Sequence, residues 1–172
     1  MTFRVIYFFA FVFMTSCVSV KFTAPQPADA EELSSFPKSW RGRYVTMTDD
    51  TLIIYSNHLI FRDSLKEEKY IIGQQIVLKK LNKYIVLNVK NEHNWDVVLA
   101  EKNRKTLNLY ALDISKDEQK KIGRISAITP VQTIKNPEGK VDYYLINPSG
   151  INFEKLIKEN FFTPFLSFEK LK

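Results

Sequence analysis

Beyond residue 40 the chain is written in short apolar stretches separated by polar turns. Tyr84 to Val89 shows the rule. Ile85, Leu87 and Val89 recur at every second position, which places them on one face of a strand. Comparable stretches run Trp40 to Met47, Leu52 to Tyr55, His58 to Arg62, Tyr70 to Ile72 and Gln75 to Leu78. Others are Trp95 to Leu99, Thr106 to Leu112, Val131 to Ile134, Val141 to Ile146 and Phe165 to Phe168, the last placed to close the sheet. Polar residues mark the reversals. Ser56-Asn57 makes a tight turn, Lys102-Asn103-Arg104-Lys105 a hairpin loop, and Asn136-Pro137-Glu138-Gly139 carries residues that turns favour. Two segments follow helical period instead. Ser115-Lys116-Asp117-Glu118 is a capping box, with Gly123 placed to end its helix. From Asn152 to Glu159, Phe153, Leu156 and Ile157 form an apolar stripe that Asn152 caps and Asn160 ends. The pattern predicts a mostly β chain: an antiparallel β-barrel or sandwich with two short α-helices. The alternation suits barrel and sandwich equally, and the second helix is expected to cover an open end or edge.

The first residues break this pattern. After Arg4 come ten apolar residues, Val5 to Met14. That is the length of a secretory apolar region and about half of what a membrane-spanning helix needs. Met14-Thr15-Ser16-Cys17 follows and resembles the lipobox of bacterial lipoprotein signal peptides, with Met14 and Ser16 where the commonest form has Leu and Gly or Ala. The resemblance implies cleavage before Cys17 and lipid attachment, with acyl chains such as palmitate, on that residue. A lone thiol in an exported chain has no internal partner, and lipid attachment gives it a use. Two or more acyl chains hold a protein stably on a bilayer. Val18 stands where an Asp would imply inner-membrane retention, so the resemblance implies the outer membrane, facing the periplasm. Residues 1–16 then form a signal peptide. Residues 17–36, with Pro25, Pro27 and Glu31-Glu32, read as a lipidated N-terminus and a flexible tether of roughly 25 Å span. Residues 37–172 suit a single β-rich domain.

Composition narrows the chemistry. The net charge of +6 falls to +5 once Arg4 is removed. The basic runs Lys79-Lys80, Lys102 to Lys105 and Lys116 to Arg124 are interleaved with acids, so they read as solvated faces and no nucleic-acid partner is expected. One Cys and two His exclude an internal disulfide, a multi-cysteine zinc site and a three-histidine catalytic zinc site. The five glycines lie too far apart for a phosphate-binding loop or dinucleotide fingerprint, so no metal or cofactor is expected. His58 and His93, a possible base and orienter across a sheet, read as ordinary strand residues. Asp49-Asp50, Glu31-Glu32 and Glu67-Glu68 are neighbours rather than the facing carboxylates that glycoside hydrolysis requires, and no residue is assigned a catalytic role.

Trp40-Arg41-Gly42-Arg43-Tyr44 puts two aromatics and a glycine at alternate positions, a strand start with a close backbone approach at Gly42. It is similar, with the order reversed, to the Gly-x-Trp start of the lipocalin first strand. That implies a lipocalin-like barrel that carries a small apolar ligand. Trp40, Tyr44 and Trp95 read first as core residues. The expected role is therefore non-enzymatic: binding of an apolar ligand or envelope protein by a membrane-anchored module of the cell envelope. The alternatives are a hydrolase of envelope material and a structural assembly subunit. Ligand carriage predicts an apolar cavity. An enzyme predicts a cleft with converging titratable groups. An assembly subunit predicts an exposed apolar patch or unpaired sheet edge.

Overall fold

The computed structural model describes residues 18–171; the leader read at residues 1–16 and the lipid acceptor read at Cys17 lie outside the described residues. The strands are β1 (Ser19–Phe22), β2 (Glu32–Leu33), β3 (Gly42–Val45), β4 (Thr51–Ile54), β5 (His58–Arg62), β6 (Glu67–Ile71) and β7 (Ile76–Leu81). They continue with β8 (Tyr84–Lys90), β9 (Trp95–Asn103), β10 (Thr106–Leu112), β11 (Val131–Lys135), β12 (Val141–Ile146) and β13 (Phe162–Lys170). Helix α1 (Glu118–Ser126) lies between β10 and β11, and α2 (Gly150–Lys158) between β12 and β13. The chain is mostly β with two short helices, as the periodicity predicts. Among the described residues no helix is long and apolar enough to cross a membrane.

All thirteen strands join one sheet, and its connectivity forces a curl. Successive strands from β3 to β6 and from β7 to β10 pair antiparallel, while β13 bonds both β10 and β3. The hydrogen-bonded path therefore runs β6-β5-β4-β3-β13-β10-β9-β8-β7. Its two ends are consecutive in the chain and meet at a single parallel bridge, Ile72 to Ile76. The result is a half-barrel with a seam between β6 and β7. A wing grows from β9, where Phe22 of β1 pairs with Trp95. β12 lies parallel to β1, and β11 forms the outer edge.

Two cores share the wall between them. On β9, Val97 and Leu99 face the core under the helices, while Ala100 faces the inside of the curl. β8 does the same with Val86 outward and Ile85 and Val89 inward. Each such buried aliphatic or aromatic side chain contributes about 1.5–3 kcal/mol. β13 serves both cores because its pairing with β10 slips between Leu109 and Tyr110, leaving Phe165 as an extra residue. That bulge flips the side-chain alternation. Phe162 before it joins the helix-side core and Phe168 after it joins the inner one. The expected closing strand Phe165 to Phe168 is thus the second half of a longer, bulged strand in mid-sheet.

Four other expectations are corrected. Residues 18–36 are no free tether. β1 is integral to the sheet, Phe22 and Phe36 are buried, and β2 pairs with β7. Between them the chain is pinned by fully buried Asn88, whose Oδ1 accepts from Gln26 N at 2.6 Å and whose Nδ2 donates to Gln26 O at 2.9 Å. Lys79, read as part of a solvated run, is buried and donates to Pro27 O at 2.9 Å. The capping box at Ser115 does not start a helix. α1 begins at Glu118 after Asp117, whose left-handed φ of 57° interrupts any earlier turn, and it continues through Gly123. α2 starts two residues before the expected Asn152, with Ser149 Oγ accepting from Asn152 N. It ends as expected at Asn160, which is left-handed at φ 59°; Phe161 N bonds Leu156 O and Asn160 N bonds Ile157 O.

Candidate functional site

The curl of the sheet leaves space. A cavity of about 250 Å³ lies inside it. Leu52 and Ile54 of β4 and Leu59 and Phe61 of β5 line one side. Val98 and Ala100 of β9 with Leu107 of β10 line another. The β4–β5 register sets Leu52 opposite Phe61 and Ile54 opposite Leu59, and the β9–β10 register sets Ala100 opposite Leu109, two residues from Val98 and Leu107 on the same face. Phe36, Trp40 and Tyr70 add aromatic wall, and the bulge residue Phe165 also reaches it.

Charge enters the lining at one place. Thr51 pairs with Arg62, so Asp50 and Asp63 leave that pair on neighbouring strands at the same end of the sheet. Both border the cavity, with Ser64 and the 75% exposed Leu65 beside them. Asp50 Oδ2 accepts from the Thr48 hydroxyl at 2.9 Å and from that of Thr46 at 3.2 Å. Asp63 Oδ1 accepts from the backbone N–H of Leu65 at 2.7 Å and Lys66 at 2.9 Å. The nearby cations are engaged elsewhere: Arg62 pairs with Glu67, and Lys66 with Glu68 at 2.9 Å. Tyr70 donates to Glu68 Oε2 at 2.7 Å. Burial, reinforced by that bond to a carboxylate, pushes its phenol far above the ordinary 10.0. Tyr70 is therefore a fixed neutral wall residue.

Trp40 and Tyr44 do belong to the core, and Tyr44 donates to Trp40 O at 2.7 Å. Gly42 is a close approach: at φ 134° its added Cβ would meet Lys170 Cε at 2.7 Å. Trp95 packs partly buried against the helix-side core. The histidines sit on separate elements. His58 opens β5, stacked on Tyr55 and bonded to Asn57, while His93 is exposed in the turn between β8 and β9. Among the described residues no cluster of His, Cys, Asp or Glu is disposed to hold a metal ion.

The sequence pattern presents Asp50 only as a neighbour of Asp49 and gives Asp63 no role. A signal for them existed, because a two-residue turn at Ser56-Asn57 fixes the hairpin register and so already sets residue 50 opposite residue 63. The chain is thus a half-barrel β domain with an apolar interior and an acidic border. No protein-family model, no curated protein and no solved structure matches it.

Proposed function

We propose that this chain is an outer-membrane lipoprotein, anchored through Cys17 and facing the periplasm, whose half-barrel holds a small apolar ligand without transforming it. One observation carries the binding role: the cavity of about 250 Å³ walled by aliphatic and aromatic side chains. Such a site binds by removing apolar surface from water, with a few polar groups to orient the ligand. The anchor is supported by the resemblance of Met14 to Cys17 to a lipobox.

Two measurements test these halves separately. Ala100→Phe fills the cavity from β9, with Ala100→Leu as a milder version. The full-length protein is expected to bring an apolar molecule into organic extracts that both variants lose while keeping the same circular dichroism. Equal cargo in wild type and variants, or none in either, ends the carrier reading. Cys17→Ala is expected to abolish incorporation of labelled fatty acid and release the protein from membranes. A substituted protein that still sediments with membranes after a high-salt wash ends the anchor reading.

A further inference from the structure

We propose that the cavity selects amphiphiles by the charge of their heads: a single alkyl chain ending in a cationic group is accepted, and the same chain ending in a carboxylate or phosphate is refused. This rests on the carrier reading above and adds the ligand class. Inside the cavity the lining is aliphatic and aromatic, so it recognises an apolar chain without regard to the head. The head is read where the lining is charged, and there it meets Asp50 and Asp63. Both carboxylates accept hydrogen bonds from neutral donors, hydroxyls in one case and backbone N–H groups in the other. Among the described residues neither takes part in an ion pair. Arg62 and Lys66, the cations of the same turn, are matched by Glu67 and Glu68. The border therefore carries a local negative field although the whole chain is +6. A like charge brought within a few ångströms of two carboxylates is repelled, and an ammonium is attracted.

The overall charge supplies an internal control. Non-specific attraction to a net-positive chain favours the anionic amphiphile, so a preference for the cation reports the border and not the surface at large. The probes are three C12 photoreactive alkyl diazirines that differ only in the head: ammonium, hydroxyl or carboxylate. They are applied to the full-length protein in membranes at pH 7 and low salt. Labelled peptides are then quantified over Leu52 to Phe61 and Leu107 to Leu109. The ammonium probe is expected to label these peptides roughly tenfold more than the carboxylate probe. At about 1 M salt, where screening acts within about 3 Å, the ratio is expected to shrink towards one. Asp50→Asn with Asp63→Asn, which keeps the hydrogen-bond acceptors and removes the charge, is expected to bring it there at low salt. Labelling by all three probes with the carboxylate equal or favoured overturns the selectivity and leaves the carrier reading standing. A preference that survives the double variant overturns it too, by placing its origin elsewhere. Absence of label on the cavity peptides from all three probes overturns both readings.

Discussion

Asn88 is a polar residue in an apolar strand, between Leu87 and Val89, and it is fully buried. Its amide matches the backbone N–H and C=O of Gln26 in one two-pronged contact. Asn88→Ala leaves both backbone groups buried without that partner, each costing about 1–3 kcal/mol. A loss of about 2–4 kcal/mol is expected, read as a lower urea midpoint at unchanged slope. The tyrosines give a second residue-scale prediction. The phenols of Tyr44, Tyr70, Tyr110 and Tyr144 all lie above their ordinary 10.0, in each case first because burial disfavours the phenolate. Above that pH the unfolded chain releases these protons and the folded chain keeps them, so folding stability falls as pH rises past 10.0 and is untouched below it. Urea unfolding at about pH 8 and pH 11 is expected to show the drop, smaller in Tyr70→Phe. Equal slopes in the two proteins would exclude Tyr70 as a contributor.

At the scale of elements, the segment after β1 also meets α2. Gly150 is helical, and a Cβ there would lie 1.9 Å from Asp29 Oδ1. Gly150→Ala is expected to cost about 1–3 kcal/mol, and adding Asp29→Ala to recover most of it, a coupling that a double-mutant cycle measures. Gly42→Ala is expected to behave differently. Its cost comes from the backbone at φ 134° as well as from contact with Lys170, so Lys170→Ala restores only part. Strands with sharp polar borders were legible: His58–Arg62, Thr106–Leu112 and Val141–Ile146 lie where periodicity puts them. β1 was legible too, since Val18, Val20 and Phe22 alternate with Ser19 and Lys21, but the prolines that follow favoured a linker reading. Pro25 and Pro27 restrict a chain without freeing it. The bulge at Phe165 was not legible, because Phe162, Phe165, Leu166 and Phe168 fit one face or two with equal ease. Nor was the start of α1, where the conformation of Asp117 overrides a well-formed capping sequence.

At the scale of the molecule, the alternation announces which side chains point inward but not whether they meet. Eight inward residues on β4, β5, β9 and β10 leave a void only because β13 joins β10 to β3 and so sets the diameter of the curl, and those pairings are long-range contacts. The same scale decides the fate of residues 18–36. Deleting them removes a strand between β9 and β12, the partner of Asn88 and the cover over Lys79. The shortened chain is expected to lose its cooperative thermal transition. Conversely, limited trypsin digestion of the intact protein is expected to spare Lys21, which is half-buried and paired to Asp96 at 2.5 Å. Rapid cleavage there would restore the flexible-tether reading. Ser19 already opens β1, so among the described residues only Val18 precedes the sheet. Two peptide steps, about 7 Å, separate position 17 from the first bonded strand. An attachment at that position, as proposed above, would therefore hold the half-barrel within a short reach of whatever it is attached to, with no long linker between them.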